Sequence, residues 1–375
     1  MSLALTPAVR WTAVRLGNID RPIGSKIHKR ATPLMGGVAV YVAFATASVL
    51  VLPLSSPVRG VLAGCLAAVL VGVSDEFLTL PPLTHLAGQT VAALVAIICG
   101  VGVIRSISDP FAGVTGPGWS LPTAVGLIIT VFWLVGMMNT VNFLDGLDGL
   151  ATGVVALAAL LLAIWAWEAP RGHIIPLSAH HEDLILPLAL AGALIGFLPF
   201  NWHTARIFLG DSGSMFLGLA LAALSIVGPA KLATALLVLM IPVLDVAWAI
   251  VRRRLRGRNF LSGDKQHVYH RMLELGMSHT ATVLSLYFLC IGLGALDLAL
   301  VKIQKLVAFV VLAVLLGAAF VMMEYRATVM KAPLRSSTTG PSDQPNTAPD
   351  GDGVYVCRQS VRDPVLPEVQ DRTKD

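Results

Sequence analysis

The sequence predicts an all-α fold, a polytopic integral membrane bundle of about ten transmembrane helices. Of its 375 residues, 55% are hydrophobic and 13% are charged, and the mean hydropathy is +0.76. Soluble globular proteins carry about 25% charged residues, so this composition excludes that class. Apolar windows of about 17 to 23 residues, the length that crosses a bilayer core, recur along nearly the whole chain.

Each predicted span is one such window, and polar stretches separate it from the next. Residues 1–35 have an apolar stretch too short and too often interrupted by arginine for a signal peptide, so they predict a cytoplasmic N-terminal segment. Residues 331–375, rich in Pro, Gly, Ser and Asp, predict a disordered cytoplasmic tail. The transmembrane domain, 36–330, lies between them, with spans at 36–54, 60–74, 83–104, 121–138, 149–167, 185–200, 212–229, 231–251, 280–298 and 304–323.

The distribution of positive charge predicts the orientation. An even number of spans places both termini on one side, and most of the 27 lysines and arginines fall on that side. Basic loops stay in the cytoplasm, so both termini are predicted to be cytoplasmic. The net charge of +5 reflects this asymmetry. No basic stretch carries interleaved aromatic residues, so the sequence gives no sign of a nucleic-acid partner.

The polar clusters of the chain all fall on the predicted cytoplasmic face. The loops predicted on the other face are short or carry few chemically useful groups. Ionisable groups at a membrane boundary are costly unless they are paired or used, so one cytoplasmic active site is the economical interpretation. The clusters are SKIHKRATPLMGG (25–37), GVSDEF (72–77), NTVNFLDGLDG (139–149), FNWHTARIFLGDSGS (200–214) and SGDKQHVYHRMLELG (262–276).

Carboxylates are the first candidates for chemistry. Asp145 and Asp148 are three residues apart and would share one face at a helix end, and Asn142 extends the same stripe. The ordinary alternative for this stretch is a polar helix cap followed by a glycine break. Asp211 would lie at the start of a helix, where it could hold a Mg²⁺ that bridges phosphates or simply cap the helix.

Two further carboxylates and two basic clusters complete the candidates. Asp75 and Glu76 directly follow an apolar span; they could bind a divalent ion, act as a base or form a solvated helix end. The basic clusters could grip a diphosphate, although loops on this face are basic in any case. These clusters contain Lys26, Lys29, Lys265, His267, His270 and Arg271.

Together these groups are the parts that phosphoryl transfer needs, carboxylates for Mg²⁺ and cations for phosphates. A polytopic transporter is the competing class. It would more often bury its polar groups at mid-bilayer, in broken helices of two repeated halves, and no such repeat is visible.

At these clusters the sequence resembles the polyprenyl-phosphate N-acetylhexosamine-1-phosphate transferase family (glycosyltransferase family 4), which acts in bacterial cell-envelope synthesis. The similarity runs in order from about Asp20 to Gly276. The motifs that carry it are DRPIGSKIHKRATPLMGG, SDEFLTLPP followed by Gln89, NTVNFLDGLDGLA, NWHTARIFLGDSGS and DKQHVYHRMLELG.

The resemblance implies an enzyme of the bacterial inner membrane. It would transfer a sugar 1-phosphate, with UDP-N-acetylglucosamine as the expected UDP-sugar, to a polyprenyl phosphate lipid, and it would release UMP. The cofactor would be Mg²⁺, with Mn²⁺ as the alternative ion. A phospho-N-acetylmuramoyl-pentapeptide transferase, a transporter and a degenerate, inactive family member remain alternatives, and assembly as a homodimer stays open.

The resemblance also implies roles for individual residues. Asp211 and Asn142 would ligate the metal, and Asp75, Glu76 and Asp211 would form the catalytic set. The predicted substrate-binding residues are Lys26, Lys29, Asn139, Asp145, Asp148, Asn201, His267, His270 and Arg271.

Four departures from the family pattern are visible. Glu76 replaces an aspartate, Tyr269 replaces the middle histidine of the His-rich loop, and His85 stands where many relatives have lysine. The family usually has an eleventh span before Asp20, and too few residues precede Asp20 to form one. A truncated start and a missing first helix are both compatible with this.

Overall fold

The computed structural model describes residues 1–22, 30–107, 109, 118–168, 181–228, 232–255, 267–300 and 302–330. The described part is mostly helical, as predicted. The helices are α1 (Ser2–Arg15), α2 (Gly36–Val51), α3 (Ser56–Leu78), α4 (Pro82–Ala96, continued by a π-helical turn, Ile97–Val101), α5 (Thr123–Leu144), α6 (Leu150–Glu168), α7 (His181–Asn201), α8 (Gly210–Val227), α9 (Leu232–Val238), α10 (Met240–Leu255), α11 (Val268–Glu274), α12 (His279–Ala299) and α13 (Lys302–Met330).

Seven helices of the described part are long and apolar enough to cross a membrane, namely α3, α4 with its π-helical turn, α5, α6, α7, α8 and α12. Shorter apolar helices occur at Gly36–Val51 and Ile303–Ala319. The chain is therefore a multi-pass membrane protein. The total of ten spans stays a prediction, because α2 and α10 have only 16 residues each and the apolar part of α13 is limited to Ile303–Ala319. The predicted tail, 331–375, lies outside the described residues.

Helix α8 forms the centre of the bundle. Every residue from Ser212 to Ser225 is buried, and the helix packs mainly against α3 and α5. Its sequence explains this position, because glycine and alanine side chains let neighbouring backbones come close where lipid offers no hydrophobic driving force between helices. A side chain at Gly218, for example, would overlap the backbone of Met137 and Met138 in α5.

The start of α8 is where three helices converge most closely. Gly72 of α3 faces the backbone of Ser212, and Gly37 of α2 faces the backbone of Gly213. A Cβ atom at Gly72 would lie 2.4 Å from the Cα atom of Ser212, a distance that side chains do not tolerate. The close crossing brings the end of α3, with its two carboxylates, to the first turn of α8.

The described part of the N-terminal segment, 1–22 and 30–35, contains a helix and a short strand pair. Helix α1 packs against α2 and α7, and an antiparallel two-residue ladder joins β1 (Ile19–Asp20) to β2 (Thr32–Pro33). The carbonyl oxygen of Pro33 accepts a hydrogen bond from the N–H of Phe208, at 2.8 Å. This contact attaches the N-terminal segment to the loop that precedes α8. A second small ladder pairs β3 (Ser106–Ile107) with β4 (Trp119–Ser120).

A buried ion pair connects α13 to the bundle. Asp297 of α12 is fully buried, and its Oδ1 atom lies 2.9 Å from the Nζ atom of Lys305. The Nε1–H group of Trp165 donates to Oδ2 of the same carboxylate at 2.6 Å, and the Lys305 ammonium lies 4.2 Å from the Trp165 ring centre. A carboxylate removed from water needs such partners, so this contact positions three helices relative to one another.

Candidate active site

Five carboxylates, from three of the sequence motifs, come together at one end of the bundle. Two lie at the end of α3, two in the turn between α5 and α6, and one in the first turn of α8. They lie close enough to one another for their charges to interact. These residues are Asp75, Glu76, Asp145, Asp148 and Asp211.

Asp211 and Asn142, the predicted metal ligands, are direct neighbours. The Nδ2 atom of Asn142 donates to Oδ1 of Asp211 at 2.6 Å and to the Oγ atom of Ser214 at 2.9 Å. The contact joins the last turn of α5 to the first turn of α8. Two helices thus bring the Asp211 carboxylate and the Asn142 side-chain amide to one place.

Glu76 holds the start of α8. Its Oε1 atom accepts hydrogen bonds from the N–H and the Oγ–H of Ser212, at 3.0 and 2.8 Å, and its Oε2 atom accepts one from Nδ2 of Asn18, at 3.0 Å. Gly210 has φ +75°, a conformation that glycine adopts without strain, and a side chain there would collide with Glu76. With protein donors on both oxygens, Glu76 is placed to position the α8 turn. Asn18 was not among the predicted residues.

Asp75 is also partnered within the protein. Its Oδ1 atom accepts a hydrogen bond from the N–H of Leu80 at 2.6 Å, and its Oδ2 atom lies 3.3 Å from Nε2 of His85. His85, which departs from the lysine of many relatives, therefore has a carboxylate neighbour. When its imidazole is protonated, this pair puts one positive charge beside the five carboxylates.

Asp145 experiences the concentration of negative charge most strongly. Burial raises the pKa of its carboxyl well above the ordinary value, and the charges of Asp211, Asp148 and Glu76 raise it further. A hydrogen bond from the N–H of Gly210 acts in the opposite direction. A cluster of carboxylate and amide oxygens is a suitable site for a hard divalent cation such as Mg²⁺, because the cation offsets the repulsion between the carboxylates.

Asp148 lies beside two histidines that the sequence did not indicate. Its Oδ2 atom accepts a hydrogen bond from the N–H of Ala205 at 3.1 Å and lies 3.0 Å from Nδ1 of His203. The His203 ring stacks on the ring of His279 with 4.2 Å between ring centres. One ligand atom from each of Asp148, His203 and His279 falls within 4.8 Å of the others. His279 begins α12, so only the tertiary packing brings it to this loop.

Asn201 supports the turn between α5 and α6 from behind. Its buried Oδ1 atom accepts hydrogen bonds from the N–H of Gly149 at 3.2 Å and from Oγ1 of Thr152 at 2.7 Å. Its Nδ2 atom donates to the carbonyl oxygen of Ile207 at 3.2 Å. The hydroxyl of Tyr287 donates to the carbonyl oxygen of Gly149. Asn201, predicted to bind substrate, thus has three contacts inside the protein.

Asn139, the other amide predicted to bind substrate, forms a pair with Gln89. Its Nδ2 atom donates to Oε1 of Gln89 at 2.7 Å and to the carbonyl oxygen of Val135 at 2.8 Å, and Nε2 of Gln89 donates back at 3.4 Å. Gln89 is fully buried. This pair links α4 to α5 within two helices that can span the membrane.

Helix α11 brings the aromatic and basic residues of the His-rich loop to the carboxylates. His267 is buried, and its ring centre lies 5.3 Å from that of Phe143. The hydroxyl of Tyr269 lies so close to Gly146 that no side chain would fit there. Burial raises the pKa of Tyr269, and the charges of Asp245 and Asp145 raise it further. Tyr269, a departure from the family pattern, is therefore neutral and packs on the turn between α5 and α6.

The remaining predicted residues are His270, Arg271, Lys26 and Lys29. The ring of His270 meets that of Tyr269 edge-on, with 4.4 Å between centres, and Arg271 on the same helix is buried. Lys26 and Lys29 lie outside the described residues, as do residues 256–266.

Comparison with known proteins matches residues 58–229 to the model of the glycosyl transferase family 4. The chain is 37% identical over 319 residues to the decaprenyl-phosphate N-acetylglucosaminephosphotransferase of Mycolicibacterium smegmatis, covering 78% of this chain and 77% of that protein. It is 31% identical over 296 residues to a Bacillus subtilis protein named "Probable undecaprenyl-phosphate N-acetylglucosaminyl 1-phosphate transferase", covering 76% and 78% of the two chains.

A second group of relatives carries a different name. The chain is 32% identical over 315 residues to the phospho-N-acetylmuramoyl-pentapeptide-transferase of Desulforudis audaxviator, covering 77% of this chain and 91% of that protein. The family match at 58–229 covers the segments that supply the five carboxylates.

Proposed function

Since this chain belongs to the glycosyl transferase family 4, we propose that it transfers N-acetylglucosamine 1-phosphate from a UDP-sugar to polyprenyl phosphate and releases UMP. The names of the relatives from Mycolicibacterium smegmatis and Bacillus subtilis support the acceptor and the transferred group. The observation that carries the proposal is the direct contact of Asn142 with Asp211, at 2.6 Å, among four further carboxylates. An oxygen-rich site of this kind at a helix end is suited to a metal-bound diphosphate.

The site fits a magnesium ion by the chemistry of its donors. Asp211 and Asn142 would hold the ion. Burial and, after it, the charges of Asp211, Asp148 and Glu76 raise the pKa of Asp145, and a cation nearby would offset this repulsion. When bound, Mg²⁺ would offset the negative charge of the donor's phosphates. Asp145 and Asp148, on the adjacent turn, would contact the nucleotide part, and Glu76 would keep the first turn of α8 in place.

The transfer itself is a displacement at phosphorus. An oxygen of the lipid phosphate attacks the phosphorus that carries the sugar, the P–O bond to UMP breaks, and UMP leaves with the electron pair. A phosphate monoester has a second pKa of about 6, so the acceptor is already largely a dianion at neutral pH and needs no strong base. We therefore assign Asp75, with His85 at 3.3 Å, to placement of the acceptor. Most of the acceleration would come from positioning and charge neutralisation.

We also propose that the site and both termini lie on the cytoplasmic side of a bacterial inner membrane. The bias of lysine and arginine toward one set of loops supports this orientation. The soluble UDP-sugar would then enter from the cytoplasm, and the lipid phosphate would arrive from the membrane.

The relatives named phospho-N-acetylmuramoyl-pentapeptide-transferase support a second candidate, transfer of a peptide-bearing sugar phosphate. The higher identity to the N-acetylglucosamine enzymes, 37% against 32% at similar coverage, favours the first candidate.

Release of UMP tests the proposal. The purified protein in detergent is supplied with polyprenyl phosphate, UDP-N-acetylglucosamine and Mg²⁺, and each component is omitted in turn. The expected result is UMP formation that needs all three and stops with a chelator. Turnover only with the UDP-N-acetylmuramoyl-pentapeptide would favour the second candidate. No turnover with either donor would exclude both.

A further inference from the structure

A partly buried carboxylate on α10, that of Asp245, holds the start of α11. The Oδ2 atom of Asp245 lies 2.8 Å from Nδ1 of His267, and its Oδ1 atom accepts a hydrogen bond from the N–H of Val268 at 3.1 Å. His267 is 3% exposed and the Asp245 side chain 14% exposed. The sequence interpretation named His267 and overlooked Asp245, which precedes it by 22 residues.

This contact determines which nitrogen of His267 is available. A carboxylate can only accept hydrogen bonds, so the proton must reside on Nδ1 when the imidazole is neutral. Nε2 is then the nitrogen with a free lone pair. The rings of Phe143 and Tyr269, with centres 5.3 and 5.8 Å from that of His267, restrict its rotation.

Asp245 also places α11 against the carboxylate cluster. His267 immediately precedes α11, but its side chain makes no hydrogen bond to the N–H groups of the first turn. Asp245 instead accepts the hydrogen bond from the first of these groups, the N–H of Val268. Beside Asp245, the neighbouring cavity is lined mainly by apolar side chains, among them Leu144 and Leu286. A carboxylate in such surroundings is stable only when it is paired, so the contact to His267 is held firmly.

We propose that Asp245 is a positioning residue that keeps Nδ1 of His267 as the nitrogen that donates inside the protein, so that in the imidazolium form the Nε2–H group donates to the diphosphate of the donor. The part that concerns the diphosphate rests on the proposed function, whereas the Nδ1–H form does not. Partners of this kind fix the ring orientation of functional histidines in metal sites, where losing one costs about 10- to 100-fold in activity.

The nitrogen chemical shifts of histidine test the first part without any turnover. The full chain, labelled with ¹⁵N-histidine, is measured in detergent at a pH where the imidazole is neutral, and His267→Gln identifies the signals of His267. We expect the Nδ1–H form in the wild type. We expect a shift toward Nε2–H in Asp245→Asn, because the amide can donate to Nδ1. A wild-type signal with the proton on Nε2 would overturn the proposal, and this result needs no variant of Asp245.

Asp297→Asn is the matched control. Asp297 is another aspartate that accepts a hydrogen bond from a ring N–H group, but it is fully buried and its partners are Trp165 and Lys305. We expect this variant to leave the nitrogen shifts of His267 unchanged. A change as large as that in Asp245→Asn would mean that loss of any buried carboxylate disturbs the ring, and would contradict a specific role for Asp245.

Kinetics test the second part. Asp245→Asn should lower kcat for UMP release by about 10- to 100-fold. If Asp245 acts through His267, adding Asp245→Asn to His267→Gln should lower kcat by less than about twofold further, since contacting residues are strongly non-additive. A second full loss in the double variant would show a purely structural role and overturn the proposal. Absence of UMP release in the wild type would exclude the proposed function, and the nitrogen shifts would still decide the form of His267.

Discussion

The carboxylate of Glu76 accepts hydrogen bonds from both the backbone N–H and the hydroxyl of Ser212, at 3.0 and 2.8 Å. The first residue of this pair ends a helix and the second begins another, and Ser212 is the immediate neighbour of Asp211. The position of the candidate metal ligand is therefore coupled to the end of α3. An aspartate at position 76, the residue more usual in the family, is shorter by one methylene.

Glu76→Gln should destabilise the protein through Asn18. The amide keeps an acceptor for Ser212 but directs an N–H group toward Nδ2 of Asn18, where Glu76 now accepts. An unsatisfied buried donor costs about 1–3 kcal/mol, which corresponds to roughly 2 to 12 °C in thermal midpoint. Adding Asn18→Asp restores an acceptor and should recover most of the loss. A double variant no more stable than Glu76→Gln would argue against this pairing.

Asp211→Asn should reduce UMP release by at least about 10²-fold, because it removes the charge that would hold the metal. Folding should be retained, since an asparagine preserves the shape and can still accept from Asn142. Initial rates and thermal midpoints are measured together, with Asp297→Asn as a control for loss of a buried carboxylate. Substantial turnover in Asp211→Asn would remove this residue from the metal site.

The raised pKa of Asp145 predicts a pH dependence of stability. An aspartate in an unfolded chain has a pKa of about 3.9, and the folded Asp145 carboxyl keeps its proton to a higher pH. The favourable contribution of Asp145 is thus complete below that value and is lost as pH rises through the folded pKa. In chelator, Asp145→Asn should therefore raise the thermal midpoint at neutral pH, by an amount that shrinks on acidification. A gap that stays constant across the pH range would contradict this. Added Mg²⁺ should raise the thermal midpoint of the wild type and so reduce the difference between the two proteins.

The variant Asn201→Ala tests whether Asn201 supports the turn between α5 and α6 or binds the substrate directly. The substitution leaves the N–H of Gly149 and the hydroxyl of Thr152 without their acceptor, so the thermal midpoint should fall. KM for the UDP-sugar should change less than kcat, because the misplaced turn carries Asp145 and Asp148. An unchanged midpoint with a large rise in KM would instead favour direct contact between Asn201 and substrate.

Gly72→Ala should prevent the close crossing of α3 and α8. Its methyl group would overlap the backbone of Ser212, which has no flexible atoms that can move aside. Gly136→Ala is the matched control, since Gly136 also lies in a helix but has open space around its Cα atom. The yield of folded, monodisperse protein should drop for Gly72→Ala alone. Equal yields for both variants would contradict the crossing.

The sequence by itself determined that this is a helical multi-pass membrane protein, and it predicted that its acidic motifs belong to one site. These properties are local, because hydropathy along the chain defines a helix that lipid can surround, and a motif of three or four residues defines which groups a helix end carries.

Only the tertiary structure decided which groups pair. Asp245 with His267, Asp148 with His203 and Glu76 with Ser212 each join different segments of the chain, up to 136 residues apart. Such pairs depend on how helices cross, and crossing is set by the summed packing of many small side chains rather than by any one motif. For the same reason Asn139 and Asn201, which the sequence could not distinguish from ligands, have their partners inside the protein.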